Sequence, residues 1–322
     1  MGRSEEIKQA VEAASRIGIE QMYFVACGGS KAIMDAPQYI IDRETTIPSF
    51  VFTSNEFCHR TPKALGKHSV VITCSHSGNT PETVAAAKLA REKGAVSIAL
   101  SFKRNSPLWD VCGYPISYDH GPDSDGGQQN NAILYALVFS LLQAIQPSEK
   151  YERALKALKT IDDVYKKNME KYSACAATWG ETNKRESVIY TLGSAPNYGA
   201  VYSFSICLLM EMLWKHTQAI NSGEYFHGPF EITDYDVPFF ILKGVGPDRA
   251  LDERAERFVK RFSKKYEVVD CKDFSWGEID EDLQDYFSPI IASKVIRLYA
   301  EGLAFSTGHP LTVRRYMWRL EY

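Results

Sequence analysis

The sequence has no run of about 18 apolar residues free of charge, so no membrane-spanning helix is expected. Its N-terminal stretch, MGRSEEIKQAVEAASRIG, is charged and amphipathic and lacks the apolar core of a secretory signal. Both absences point to a cytoplasmic protein. An excess of one charge is also missing. There are 37 basic against 40 acidic side chains, a net charge of −3, so nothing is available to neutralise a phosphodiester backbone and no nucleic-acid partner is expected. Cysteine pairs are absent as well. Cys27, Cys58, Cys74, Cys112, Cys175, Cys207 and Cys271 are an odd number, far apart and without CxxC spacing. That excludes a disulfide frame or a zinc site and reads as reduced core thiols.

What is present is an ordinary globular composition, 45% hydrophobic and 24% charged over 322 residues, enough for two domains of roughly 150 residues each. Short apolar runs at Met22–Cys27, Ser69–Cys74 and Val96–Ser101 have the composition of buried strands. Helical patterns follow the first two, over Lys31–Tyr39, with Pro37 as an expected early end, and over Thr80–Lys93. This alternation implies a parallel sheet covered by helices. The second half repeats the order at Val188–Leu192, Val237–Leu242 and Tyr266–Cys271. Gly28 and Gly193 lie 165 residues apart, Ser69 and Asp236 167, Val96 and Tyr266 170. Near-equal offsets imply two copies of one α/β unit, 1–160 and 161–322. Between them, Pro147 to Glu186 is rich in Lys, Glu and Ala and reads as a linking helix.

Cys74-Ser75-His76-Ser77-Gly78-Asn79-Thr80-Pro81-Glu82-Thr83 falls where a strand ends and a helix begins. Unpaired N–H groups and the positive end of the helix dipole favour an anion there without a metal. Ser75, Ser77 and Thr80 add hydroxyl donors, and Gly78 would let the backbone approach a ligand. Ordinary capping explains the same residues, with Pro81 in the first turn, and both readings stand. A second loop, Cys27-Gly28-Gly29-Ser30, leaves a strand at the same edge, as a ligand at the carboxyl ends of parallel strands requires. Neither loop carries GxGxxG or GxxxxGK[ST], which argues against dinucleotide and nucleoside triphosphate binding.

The second half offers acid–base candidates. Glu211 interrupts an apolar run, LLMEMLW, and burying an idle carboxylate is costly, so it is a candidate base or a structural ion pair. His227 lies in a turn rich in Gly and Pro, where a histidine can exchange protons near neutral pH or simply sit exposed. Glu224, Glu231 and His216 compete, and Glu224 can equally cap local backbone.

These segments resemble a known family. The CSHSGNTPET segment after its strand is similar to the phosphosugar signature S-x-S-G-x-T of the sugar isomerase (SIS) domain, and ACGGS resembles that fold's first loop. The duplication resembles the isomerase half of glucosamine-6-phosphate synthase. The resemblance implies two tandem SIS domains, each a flavodoxin-like three-layer sandwich. It also implies phosphate held by Ser30, Ser75, His76, Ser77 and Thr80, with Ser101 near the sugar. The second copy has Lys243-Gly244-Val245-Gly246 at the equivalent strand end, so one phosphate site per chain is expected. By the same resemblance Glu211 is the proton-transfer glutamate, His227 the ring-opening histidine, and Glu224 a contact to the substrate amine. Where the synthase's lysine forms an imine this chain has Arg315, which stays protonated and cannot. The chain also begins directly in the isomerase region, so glutamine-dependent synthesis is not expected. The pattern is most similar to the fructosamine-6-phosphate deglycases, which release glucose 6-phosphate and an amino acid. That resemblance implies no cofactor or metal, a phosphorylated sugar-amine substrate, and a homodimer or higher oligomer with shared sites. An aldose–ketose isomerase, a glucosamine-6-phosphate deaminase and a non-catalytic sugar-phosphate sensor remain alternatives.

Overall fold

The computed structural model describes residues 2–321. Its backbone contacts divide into one unit of residues 1–162 with 278–283 and a second of 163–277 with 284–322.

The first unit holds five parallel strands: β1 (Gln21–Ala26), β2 (Ser49–Thr53), β3 (Ser69–Cys74), β4 (Val96–Ser101) and β5 (Tyr114–Ser117), in the order β2-β1-β3-β4-β5. Helices α1 (Arg3–Ser15), α2 (Gly28–Ala32), α3 (Asp35–Glu44), α4 (Ser54–Arg60), α5 (Pro81–Glu92), α6 (Pro107–Val111), α7 (Asn130–Ile145) and α8 (Glu149–Ala157) surround them in sequence. Every residue of β1 and β3 is buried, which is why both read as unbroken apolar runs: helices cover both sheet faces. Two strands escape that signature. β2 and β5 are edge strands with one neighbour each, and β2 keeps only its first residue buried, so their sequences SFVFT and YPIS need not be apolar throughout. Pro37 does not end a helix, as expected from the sequence. The chain breaks earlier, at Ile33–Met34, and Pro37 sits in the first turn of α3, where its missing N–H has no intrahelical partner to lose.

The chain leaves β1 in one direction to form β2 and later crosses back to form β3 on the other side. The carboxyl ends of β1 and β3 therefore flank the point where strand order reverses, and Ala26 pairs with Cys74 across it. The loops starting at Cys27 and Ser75 leave the sheet side by side.

The second unit repeats the first four strands. β6 (Val188–Gly193), β7 (His216–Asn221), β8 (Phe239–Lys243) and β9 (Tyr266–Asp270) are parallel in the order β7-β6-β8-β9, the same path as β2-β1-β3-β4. The edge strand β7, with its polar residues His216 and Gln218 exposed, is another that the apolar-run criterion passes over. The segment 147–186 is helical, as its composition predicts: it holds α8 and α9 (Ile161–Asn183). Then come α10 (Tyr198–Tyr202), a π-helical stretch Ser203–Met212, α11 (Arg249–Phe262) and α12 (Glu281–Thr307). Phe240 of β8 anchors the core, with Phe204 at 4.7 Å, Tyr299 at 5.0 Å and Trp179 at 5.6 Å between ring centroids. Four of the cysteines, 74, 112, 207 and 271, are buried thiols as expected, but Cys175 is exposed. No helix among the described residues is long and apolar enough to cross a membrane.

α9 and α12 touch backbone to backbone. A Cβ on Gly302 would lie 2.4 Å from the Ala176 carbonyl oxygen, and one on Gly180 2.3 Å from the Gly302 carbonyl carbon. Alanine in mid-helix normally gains up to about 1 kcal/mol over glycine, but forcing a methyl group against backbone costs about 1–3 kcal/mol or more. Gly302→Ala should therefore lower the denaturant midpoint, and a midpoint equal to or above wild type would contradict the packing described.

Candidate active site

Ser75 follows β3 and is 2% exposed. Its Oγ accepts from the Gly78 N–H at 3.1 Å and shares a hydrogen bond with Thr80 Oγ1 at 2.9 Å. Ser77 Oγ accepts from the Asn79 N–H at 3.2 Å. Thr80 is the N-cap of α5, yet its side chain makes no capping bond. The hydroxyls thus fix the curl of the loop rather than close the helix end, and the α5 N-terminus keeps its dipole without a side-chain cap. Gly78 has φ +66°, and a Cβ there would fall 2.0 Å from Ser106 Oγ. Glycine is needed here to seat the loop on Ser106.

Ser30 and Tyr118 hydrogen-bond the side chain of Cys74, and burial pushes that thiol up to about 11, so it stays protonated. Ser101 closes β4; buried to 1% exposure, its hydroxyl donates to the Lys103 carbonyl at 3.0 Å. His76 stands at the exposed rim of the loop, its ring stacked on Phe102 (5.2 Å, 8°), with Nδ1 3.1 Å from the Tyr118 hydroxyl. His120 meets it edge-on at 4.4 Å. The sequence reading passed over His120 because it follows β5, the short edge strand that carries no apolar run.

In the second unit Glu211 lies near the end of the π-helical stretch, half-buried. Arg314 Nε donates to its Oε1 at 2.9 Å. Arg314 is 8% exposed, donates from Nη1 to the carbonyls of Leu311 and Val313, and lies over the Trp318 ring. Arg315, the counterpart of the synthase's lysine in the resemblance, has its guanidinium over Trp214 at 4.3 Å, with His309 edge-on to the same ring. The adjacent pair Arg314-Arg315 was the only sequence signal, and it did not say which arginine turns toward Glu211.

Glu224 and His227 sit on the turn after β7. Asn221 Oδ1 accepts from the Gly223 N–H, and the Glu224 carbonyl accepts from the His227 N–H at 2.9 Å. Tyr225 is the buried anchor of this turn, edge-on to Phe226, while the side chains of Glu224 and His227 are exposed, as are Glu231 and His216. Among the described residues no hydrogen bond or ion pair joins Glu211 to His227 or Glu224.

The SIS domain profile matches residues 17–144, within the first unit. Fructosamine deglycase FrlB of Bacillus subtilis (strain 168) is 46% identical over 305 residues, covering 94% of this chain and 93% of FrlB. The chain belongs to the SIS-domain deglycase family. Fructoselysine 6-phosphate deglycase of Escherichia coli (strain K12) is 28% identical over 95% of the chain and 88% of its own length. A crystal structure of a Bacillus subtilis protein described as a phosphosugar isomerase matches with a TM-score of 0.96 at 44% identity, covering 99% of this chain and 97% of that one. The family and the fold read from ACGGS, CSHSGNTPET and the duplicated strands are borne out.

At the carboxyl end of β8, the second unit's equivalent of β3, the chain's own carboxylate occupies the donors. Asp252, fully buried, accepts from the Gly244 N–H at 3.0 Å and the Ser222 hydroxyl at 2.6 Å, with Ser194 beside it. Lys243 is held by Glu256 and Asp270 at 2.8 Å each, and Arg249 grips Asp270 in two-pronged fashion. Two grooves of about 410 and 340 Å³ lie elsewhere, the first around Trp179 and Tyr266, the second around Trp109 and Tyr114.

Burial pushes the Asp252 carboxyl up to about 6 despite its donors, above the roughly 3.9 of an unfolded chain. The folded protein therefore binds this proton more tightly, and the stability Asp252 contributes is lost as pH rises from about 4 through 6. Burial alone would raise Asp270 too, but Arg249 and Lys243 outweigh it and hold it at about 2, so its contribution is lost only as pH falls from about 4 toward 2. Relative to Asp252→Asn, wild type should gain about 2 kcal/mol between pH 6 and pH 4. Parallel stability curves for the two proteins across that window would refute the assignment.

Proposed function

We propose that this chain converts the 6-phosphate of a fructosyl amino acid, with water, into glucose 6-phosphate and the free amino acid. The identity to fructosamine deglycase FrlB over practically the whole length, both units included, carries this reading. The Ser75–Thr80 loop, with Ser30 and Ser101 behind it, supplies neutral donors for the phosphate, whose binding energy positions the reacting carbons. His227 assists opening of the sugar ring. Glu211 takes a proton from C1, the electrons forming a C1–C2 enaminol as the C2 carbonyl gains a proton. Glu211 then returns its proton to C2, leaving an imine between C1 and the amino-acid nitrogen. Water adds to C1 and the C1–N bond breaks, giving the aldehyde and the amine. The substrate brings its own nitrogen, so an arginine at 315 in place of an imine-forming lysine is no handicap. Arg314 is the positioning residue for Glu211, and Glu224 a contact to the amine.

A panel of 6-phosphofructosyl amino acids assayed for glucose 6-phosphate tests the reading. Release in deuterated water should place deuterium at C2, and Glu211→Gln should lower turnover by about 10² or more while substrate still binds. Conversion to an isomeric sugar phosphate alone, or no product from any member of the panel, would overturn it.

The same reading includes a homodimer in which His227 serves the Glu211 of its partner. Exposed apolar side chains in the second unit support self-association: Met210, Trp214 and Trp318, with Phe305 90% exposed. Co-refolding inactive Glu211→Gln with inactive His227→Ala should restore roughly a quarter of wild-type sites, since half the dimers are mixed and each mixed dimer keeps one intact site. Mixed dimers without activity would place both residues in one chain's site.

A further inference from the structure

Hydroxyls, amide N–H groups and the positive end of the α5 dipole can hold a phosphate, but they offer only partial charge against a dianion, and taking a dianion out of water with incomplete compensation is costly. Groups able to supply charge at the rim of the Ser75–Thr80 loop include His76, His120 and Lys103. His76 sits between two of the loop's serines, its ring plane set by Phe102 and its Nδ1 by the Tyr118 hydroxyl. His120 comes edge-on to that ring at 4.4 Å, close enough that one imidazolium disfavours the other. Burial against its neighbours lowers the His76 pKa first, and His120 and Lys103 lower it further. Burial keeps the Tyr118 hydroxyl and the Cys74 thiol protonated, and the Asp119 carboxylate pairs with Arg3 at 2.7 Å while Arg104 pairs with Glu6 at 2.7 Å. Burial and the neighbouring His120 thus disfavour the charged form of His76, and a dianion beside the two rings opposes that bias.

We propose that His76 and His120 take up a proton together with the phosphate, which makes His120 a recognition residue of the phosphate subsite and biases it toward dianionic over monoanionic esters. The proposal rests on the phosphate reading of the loop. The free phosphate ester, with a second pKa near 6, is already dianionic at pH 7.5, while an unperturbed histidine is mostly neutral. A proton gained on binding at that pH therefore belongs to the protein.

Calorimetric titration of the whole protein with glucose 6-phosphate at pH 7.5, in buffers of different ionisation enthalpy, counts the protons. The expected uptake is about half a proton or more per site. His120→Asn, a change at an exposed side chain, should at least halve that number and weaken binding roughly three- to tenfold, a shift equivalent to about one pKa unit or less. Glucose 6-sulfate, a monoanion that does not titrate in this range, should bind more weakly and lose little affinity in the variant. Binding with equal heats in every buffer would overturn the pair while leaving the loop as the phosphate site. Undiminished uptake in both His76→Asn and His120→Asn would assign the proton elsewhere and overturn it as well. Failure of wild type to bind glucose 6-phosphate would overturn the phosphate reading, and the pair with it.

Discussion

Parallel strand pairing is the constraint from which the rest of this protein follows. A parallel strand cannot be reached by a tight hairpin, so each strand must be followed by a segment long enough to return along the sheet, and these segments are helices. All carboxyl ends then share one edge, and the chain emerges there in loops that open helices. The Ala26–Cys74 pairing puts the Cys27–Ser30 and Ser75–Thr80 loops next to each other at the reversal of strand order. Chemistry that needs backbone donors and short polar side chains has that edge available in each unit, and the two units use it differently.

Most of this was readable in the sequence because burial on both faces leaves an unmistakable trace. β1, β3, β4, β6 and β8 fall on such runs, the edge strand β9 was found through its Val268-Val269 pair although only Val269 is buried, and the recurring offsets betray the duplication. The strands missed, β2, β5 and β7, are all edges, where one flank faces no neighbour and a run such as HTQAIN keeps its polar residues. The candidate loop was legible for a related reason, since serine, glycine and threonine between a buried strand and a proline-opened helix are conspicuous. Partnerships across long sequence separations were not. Nothing in HPLTVRRY says that Arg314, 103 positions from Glu211, grips it while Arg315 covers an indole. His120 was hidden because its position depends on an edge strand, and the purpose of Gly78 because Ser106 lies on the next strand's loop.

The Glu211–Arg314 pair also resolves a tension in the sequence. A carboxylate inside LLMEMLW is expensive unless it has a partner. Glutamate at the end of a π-helical stretch, whose backbone bonding is already irregular, gains a single well-defined partner in a guanidinium that is itself anchored to two carbonyls. A side chain held this way has a fixed direction, which a solvated surface glutamate does not possess.

Asp252 gives the duplication an asymmetric consequence. Its carboxylate accepts from the Gly244 N–H and the Ser222 hydroxyl at the carboxyl end of β8, and because it is part of the chain its effective concentration never changes. Those donors are satisfied as soon as the unit folds. At the carboxyl end of β3 the first unit has instead hydroxyls and amide groups bonded to one another. Duplication has thereby left one strand end closed by a tethered anion and its counterpart closed by neutral groups alone.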